Sequence, residues 1–124
     1  MSGKKKSVLV VEDDKYIGEL LCKKLKSKGI EAKMCLDGRQ ALDLLYKEVF
    51  DLVLLDLVMP ILDGFAVLEE RPKTLNHSTS FIVITALGQD EDIERAKRLG
   101  AEEVFQKALI TIEEVIKRVE KKMS

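Results

Sequence analysis

Five polar residues stand at or just after the ends of short apolar runs, and their side chains suit the binding of a cation and an anion. Carboxylates bind hard divalent cations, whereas a lysine ammonium and a hydroxyl group donate hydrogen bonds to the oxygens of a dianion. Helix capping alone does not require polar residues at the ends of so many apolar runs. The residues are Glu12, Asp13, Asp56, Thr85 and Lys107.

These side chains can act together only if the strands that precede them lie side by side. In an open parallel sheet, functional groups gather beyond the carboxyl ends of the strands, where the strand order reverses. In the flavodoxin-like order 2-1-3-4-5, the first and third strands are neighbours about 4.8 Å apart. Glu12, Asp13 and Asp56 would then crowd together as three carboxylates.

Such crowding requires compensation, because two like charges ~4 Å apart repel by about 4 kcal/mol at an effective dielectric near 20. Either one acid is protonated or a cation fills the site. Oxygen-only ligands favour Mg²⁺, Mn²⁺ or Ca²⁺ over zinc. Mg²⁺ suits the set best, since it takes one or two protein carboxylates and shares a phosphoryl oxygen. Lys107 makes the pocket suitable for a dianion, and Thr85 adds a neutral donor.

Each of these residues also has a purely structural explanation. The acidic pair Glu12 and Asp13 would cap a first helix, Asp56 would be an ordinary strand-end aspartate, and Thr85 would reflect β propensity. Their joint occurrence with Lys107 favours the site over these explanations.

Other candidate positions favour the structural explanation. Asp63 and Gly64 predict a turn and a helix cap, and His77 lies in a polar stretch without a metal partner nearby in sequence. The spacing of Cys22 and Cys35 matches no metal or redox motif, which predicts two buried, reduced thiols.

The elements that must position the site alternate regularly along the chain. Apolar runs alternate with amphipathic stretches five times, which predicts a doubly wound α/β domain with right-handed crossovers, a five-stranded parallel sheet flanked by five helices. Uninterrupted apolar runs are typical of strands covered on both faces. The predicted strands cover residues 8–11, 31–36, 52–55, 81–84 and 104–105.

Caps and breakers delimit the predicted helices. Asp13 or Asp14 begins the first helix, and Asp37 caps the second, which runs from 38 to 48. Pro72 makes the third helix short or bent. The fourth runs from about 89 to 99, with acids at its start and bases at its end, and a stripe of apolar residues marks the last: Ile112, Val115, Ile116 and Val119.

Length and composition fit one domain, with a core at about residues 7–122 of 124. Apolar residues make up 46% and charged residues 35%, which excludes a disordered chain. A net charge of −1 argues against wholesale binding to nucleic acid or to a membrane. The apolar runs are too short for a bilayer span or a signal peptide, so we expect a cytoplasmic protein.

Four segments in this order carry a resemblance to a known family. They are Val10–Asp14, Asp56–Pro60 followed by Asp63–Gly64, Ile84–Ala86, and Lys107. Together they resemble the receiver domains of two-component response regulators, of the chemotaxis-regulator type. Each segment alone is weak, but the set at these spacings is specific and extends from about Val8 to Val119.

The resemblance implies a metal site for Mg²⁺, with Mn²⁺ as a substitute. Asp13 resembles a direct metal ligand, Asp56 a second one, and the backbone carbonyl of Val58 a third. Glu12 resembles the other acid of the pair, which acts through water.

The resemblance also implies phosphoryl chemistry. Asp56 resembles the aspartate that accepts a phosphoryl group from a histidine kinase or a phosphotransfer protein. Lys107 resembles the lysine that pairs first with the acids and then with phosphoryl oxygens, and Thr85 the hydroxyl residue that moves to bind the group. Charge must be neutralised on both partners when a carboxylate attacks a dianion, which agrees with these roles.

The family further implies a signalling module rather than an enzyme, limited to accepting and slowly losing its own phosphoryl group. We expect a single receiver domain over 1–124, without an output domain in this chain, that acts on a downstream protein or on an output domain elsewhere. A homodimer through helices four and five is an option in parts of the family. Direct binding to nucleic acid or membrane is not expected.

Two positions depart from the family pattern. Ala108 follows Lys107 where the family usually has a proline in a cis peptide bond. A cis bond without proline costs ~3–4 kcal/mol, so this bond is either trans in an adjusted loop or strained. Val104 stands where the family usually has Tyr or Phe, and strand alternation directs Phe105 to the opposite face. We therefore predict signalling without an aromatic rotamer switch, through a smaller shift of the face formed by helix four, strand five and helix five.

The residues that flank the acceptor predict slow loss of the phosphoryl group. Val58 and Leu87 are apolar, and neither can orient an attacking water.

Three functions remain in competition, and a phosphoacceptor module is favoured. The second is a degenerate receiver that binds partners without phosphorylation, which the departures at Val104 and Ala108 support. The third is an enzyme on a similar fold. An aspartate-nucleophile phosphatase would need an acid where Val58 stands, and a flavin carrier would need hydroxyl groups where Glu12 and its acidic neighbours stand.

Overall fold

The computed structural model describes residues 5–124 as five strands, five α-helices and two short 3₁₀ turns. The continuous apolar runs form strands, as predicted. The strands are β1 (Ser7–Val11), β2 (Glu31–Cys35), β3 (Leu52–Leu55), β4 (Ser80–Thr85) and β5 (Glu103–Gln106). The helices are α1 (Lys15–Ser27), α2 (Gly38–Lys47), α3 (Gly64–Glu70), α4 (Asp90–Arg98) and α5 (Ile112–Met123).

All strand pairs are parallel, and the sheet has the order β2-β1-β3-β4-β5. The predicted flavodoxin-like, doubly wound fold is therefore confirmed. Val11 pairs with Leu55, and Leu55 pairs with Val83, so the central strands end at one level. This common level brings the residues that follow them to one edge of the sheet.

Two apolar clusters cover the two faces of the sheet. Residues of β1 alternate between them, so Leu9 and Val11 pack on one face, and Val8 and Val10 pack on the other. Every residue of β3 is buried, as its uninterrupted apolar sequence predicts. The rigid centre of the sheet is thus the support for the residues at its carboxyl edge.

Side-chain caps fix where the helices begin. Asp14, rather than Asp13, caps α1 and accepts a hydrogen bond from the Ile17 N–H at 3.1 Å. Asp37 and Asp63 cap α2 and α3 in the same way. Asp13 is consequently free of a capping role at the start of α1.

Several predicted bounds move by one or two residues. The second strand ends at Cys35 rather than Leu36, whose N–H donates to the Gln40 side chain at 2.9 Å. The second helix ends at Lys47 because Glu48 is extended. At Pro72 the third helix gives way to a 3₁₀ turn over Arg71–Lys73, which confirms that α3 is short.

The loop after β5 decides whether the peptide bond between Lys107 and Ala108 is cis or trans. Within residues 5–124 there is no cis peptide bond, so the bond from Lys107 to Ala108 is trans. The chain adjusts instead through a 3₁₀ turn at Lys107–Leu109.

The predictions for the two cysteines and for His77 are confirmed. Cys22 and Cys35 are free and buried, and His77 is exposed. Among residues 5–124, no helix combines the length and the apolar character that a bilayer crossing requires.

Candidate functional site

Backbone hydrogen bonds hold Glu12 and Asp56 next to each other just beyond the ends of β1 and β3. The Glu12 N–H donates to the Cys35 carbonyl at 3.1 Å, and the Asp56 N–H donates to the Val11 carbonyl at 3.0 Å. The ladder therefore extends one residue past β1 and β3. Both carboxylates are 4% exposed, which places them in a pocket rather than on the surface.

Lys107 joins these two acids. Its Nζ lies 3.0 Å from Asp56 Oδ2 and 3.0 Å from Glu12 Oε1. The lysine follows β5 directly, so the bridge spans residues from three different strands' ends. The sequence prediction that Lys107 faces the acids is met by this geometry.

Asp13 completes a cluster of carboxylates. One oxygen from each of Glu12, Asp13 and Asp56 lies within 4.8 Å of the others. Asp13 is exposed, so the cluster opens to solvent on its side. Two of the three carboxylates contact Lys107. All the possible metal donors are oxygen, which is the set that a hard cation such as Mg²⁺ prefers.

Burial shifts the pKa values of the side chains that Lys107 joins. Loss of water raises the pKa of Glu12 to about 7, and it also raises the pKa of Asp56. For Lys107, burial alone would lower the pKa, but hydrogen bonds and charges from Glu12 and Asp56 outweigh it and raise the pKa. The lysine is thus held in its charged form, whereas burial disfavours the charged form of the two acids.

Backbone donors orient the two buried acids. The Val58 N–H donates to Asp56 Oδ1 at 3.2 Å, and the Asp14 N–H donates to Glu12 Oε2 at 3.1 Å. Asp56 therefore has one oxygen on the lysine and the other on the loop that follows β3. Val58 itself is half exposed at the mouth of the pocket.

Thr85 ends β4 at the same edge of the sheet and is fully buried. Its Oγ1 accepts a hydrogen bond from the Leu87 N–H at 3.1 Å. Thr85 pairs across the sheet with Gln106, the residue before Lys107. The hydroxyl therefore lies between the strand ends and the loop that leads to α4.

Val104 and Phe105 lie on opposite faces of β5, as alternation predicts. Val104 packs against the cluster that includes Val83 and Phe65. Phe105 packs against the other cluster, with the Arg118 guanidinium 5.4 Å from its ring centroid. The aromatic ring next in sequence thus lies away from the Val104 face.

Sequence reasoning missed the close packing that holds the loop after β3. The Gly64 N–H donates to the Leu57 carbonyl at 2.9 Å, and a Cβ at Gly64 would collide with the Asp56 carbonyl oxygen. A side chain at residue 64 would push the start of α3 away from Asp56. The Asp63-Gly64 pair signalled a turn, but only the fold reveals this approach.

Ile61 was also missed. It has φ of +71° within a three-residue turn, in which the Leu62 N–H donates to the Pro60 carbonyl at 2.8 Å. A β-branched residue rarely adopts this conformation. Glycine or asparagine is the usual signal for a positive φ, and neither stands at position 61.

Comparison with known proteins identifies the family. A family model described as the response regulator receiver domain matches residues 8–120. The chain belongs to the response-regulator receiver family. Regulatory protein VanRc of Enterococcus gallinarum is 34% identical over 112 residues, which cover 90% of this chain and 47% of VanRc. The chain thus spans about half the length of this curated relative.

Solved receiver domains have the same fold. The receiver domain of Francisella response regulator 1452 is 31% identical, with a TM-score of 0.86 over 95% of this chain and 96% of that one. The BeF₃-activated receiver domain of DrrB, from Thermotoga maritima, is 27% identical, with a TM-score of 0.85 over 97% and 98%. The resemblance noted in the sequence is therefore confirmed at the level of the family.

Proposed function

We propose that Asp56 of this receiver domain accepts a phosphoryl group from a histidine kinase or a phosphotransfer protein. The observation that carries the proposal is the position of Lys107 in a cluster of carboxylates. Its Nζ lies 3.0 Å from a carboxylate oxygen of Asp56 and 3.0 Å from one of Glu12. A structural salt bridge needs only one acid. The acids outnumber the lysine, which suits a cation, and that cation together with the lysine would suit a phosphoryl dianion.

Asp13, Asp56 and the Val58 backbone carbonyl would hold Mg²⁺, with Glu12 acting through water; Mn²⁺ would serve in its place. The oxygen-only donor set and the 4.8 Å limit on the carboxylate separations support this assignment. When bound, the ion supplies charge that offsets the repulsion between the carboxylates and the incoming phosphoryl oxygens.

In the transfer, a carboxylate oxygen of Asp56 attacks phosphorus as the bond from phosphorus to the donor's histidine nitrogen breaks. The electron pair of that bond stays on the nitrogen, and Asp56 becomes an acyl phosphate. Lys107 then exchanges its contact with Asp56 Oδ2 for the phosphoryl oxygens. Thr85 donates its hydroxyl hydrogen to the same group when its loop moves.

The apolar neighbours of Asp56 fit a signalling role rather than turnover. Val58 and Leu87 offer no polar side chain that could orient water against the acyl phosphate. We therefore infer a phosphorylated state that decays slowly and passes its signal to a downstream protein or output domain. A homodimer through α4 and α5 stays a prediction.

Incubation with acetyl phosphate and Mg²⁺, followed by intact-mass measurement, tests the proposal. We expect a single phosphoryl adduct on the wild-type protein and none on Asp56→Asn. Asp43→Asn, which removes an exposed acid of α2, is the matched control and should still form the adduct. An equal adduct on Asp56→Asn would contradict the assignment.

The degenerate receiver is the second candidate, because Val104 leaves the usual switch position without a ring. A protein that forms no adduct with acetyl phosphate, yet still binds Mg²⁺, would favour this candidate instead.

A further inference from the structure

One edge of the sheet is open along β2. Among residues 5–124, β2 has a strand partner only on its β1 side. The Glu31 N–H donates to the Lys6 carbonyl, and the Cys35 carbonyl accepts from the Glu12 N–H, so both residues face β1. Because successive residues of a strand direct their backbone groups to alternate sides, Ala32 and Met34 direct their N–H and C=O groups outward.

Two grooves lie along this edge and share part of their lining. One has a volume of about 430 Å³ and the other about 450 Å³, and both are lined by Lys26 and Ala32. Their apolar lining comes from Cys22, Ala32, Met34 and Ile30. The outward backbone groups of β2 therefore lie beside these two grooves against α1.

The lining of the two grooves carries more lysines than acids. It includes Lys5, Lys23, Lys26 and Lys33 against Glu19 and Glu31, and Lys33 is paired with Glu48. Within the described part of the chain, Lys5, Lys23 and Lys26 make no ion pair within 4.0 Å. Their charges are thus available to an outside partner.

The opposite edge of the sheet does not supply that partner. Along β5, Glu103 pairs with Arg118 at 3.3 Å, and Glu102 pairs with Lys122 at 2.6 Å. These acids are already compensated within the same molecule. A second copy of the chain is accordingly a poor match for the β2 edge.

We propose that the β2 edge binds an extended, acidic segment of a partner protein as a sixth strand. The segment's backbone pairs with the outward groups of Ala32 and Met34, and its acidic side chains meet Lys23, Lys26 and Lys5. Neither groove is lined by the acids or the lysine of the phosphoacceptor site, so this surface is separate from it. The proposal does not depend on phosphorylation.

A labelled short peptide in which glutamate alternates with valine is the probe, measured by fluorescence anisotropy with the unphosphorylated full chain. We expect binding that weakens with salt, together with NMR shifts of the Ala32 and Met34 amides. A lysine–valine peptide should not bind. An acidic peptide N-methylated at alternate residues should bind about tenfold more weakly, because strand addition needs its backbone donors.

Two sets of variants separate charge from strand pairing. Lys23→Glu with Lys26→Glu should weaken peptide binding about tenfold or more, whereas Lys97→Glu with Lys121→Glu, an equal change elsewhere, should not. Ala32→Pro removes an outward N–H and no bond to β1, so it should reduce binding while the urea midpoint stays close to that of wild type. If Ala32→Pro proves unfolded, the N-methylated peptide alone decides.

Three outcomes would overturn the proposal. The first is no binding of the acidic peptide, which would assign the lysines the role of blocking edge-to-edge association. The second is equal binding of the N-methylated peptide, which would reduce the surface to a charge patch. The third is that a DNA duplex binds more tightly than the acidic peptide, or that sedimentation shows a second copy of the chain bound more tightly. In either case, the variants at Lys23 and Lys26 would abolish that binding.

Discussion

At the residue scale, the burial of Glu12 next to Asp56 makes the folded state sensitive to pH. The pKa of Glu12 is raised to about 7 in the folded protein from an ordinary value of 4.5. Folding therefore favours its protonated form, so this contribution to stability is full below pH 4.5 and is lost as pH rises through about 7.

We predict that Glu12→Gln stabilises the protein at pH 8 in EDTA by roughly 2–3 kcal/mol, and by much less at pH 5. Urea unfolding at the two pH values measures this. Glu94→Gln, on the exposed surface of α4, is the control and should behave like wild type. A Glu12→Gln gain that is the same at both pH values would show that ionisation of Glu12 is not the cause.

The apolar character of Val58 gives a second prediction at this scale. Val58→Asn should speed the loss of the phosphoryl group by on the order of tenfold, because an amide at the mouth of the pocket can orient a water. Decay of the adduct after removal of acetyl phosphate is the measurement. Val58→Ala separates polarity from size and should decay at close to the wild-type rate; an unchanged rate in Val58→Asn would refute the explanation.

At the scale of elements, the strands were predictable because their signals are local, and their order was taken from flavodoxin-like folds. The apolar run of β3 has no polar break, and the acids and bases of α4 follow the helix dipole. The five candidate residues lie at one edge of the sheet for a related reason, since the strand ends of a parallel sheet share that edge. The bounds were less certain where a side chain takes over a backbone bond, as Gln40 does at Leu36.

What the sequence did not reveal depends on contacts between distant elements. Asn76 lies in a stretch that looked like a polar loop, yet it is fully buried. Its side chain accepts from the Phe50 N–H at 2.8 Å and donates to the Leu45 and Glu48 carbonyls. The approach of Gly64 to Asp56 and the strained turn at Ile61 are of the same kind, because no local pattern encodes them.

The arrangement of β5 predicts how the phosphorylated state is reported. Phe105 packs on the face opposite to Val104, beneath Arg118, so the ring should stay there in the complex with beryllofluoride and Mg²⁺. NMR of ring-labelled phenylalanine should show Phe105 contacts to α5 in both states. A Phe105 ring that enters the slot beside Thr85 would contradict signalling without an aromatic switch.

At the scale of the whole molecule, the chain presents two different surfaces on one rigid sheet. The carboxyl edge carries the acids and Lys107. The chain as a whole belongs to the receiver family and has the fold of solved receiver domains. Within residues 5–124, the β2 edge carries Lys5, Lys23 and Lys26 without an ion pair beside outward-facing backbone groups. The separation of these surfaces would allow phosphorylation and binding at β2 to be altered one at a time.

The most direct test of the central claim is to locate the phosphoryl group. Borohydride reduces an acyl phosphate on aspartate to homoserine, which peptide mass spectrometry assigns to a position. After treatment with acetyl phosphate and Mg²⁺, the account predicts homoserine at residue 56 and at no other aspartate. Homoserine at Asp13, or at any acid outside the Lys107 bridge, would contradict it.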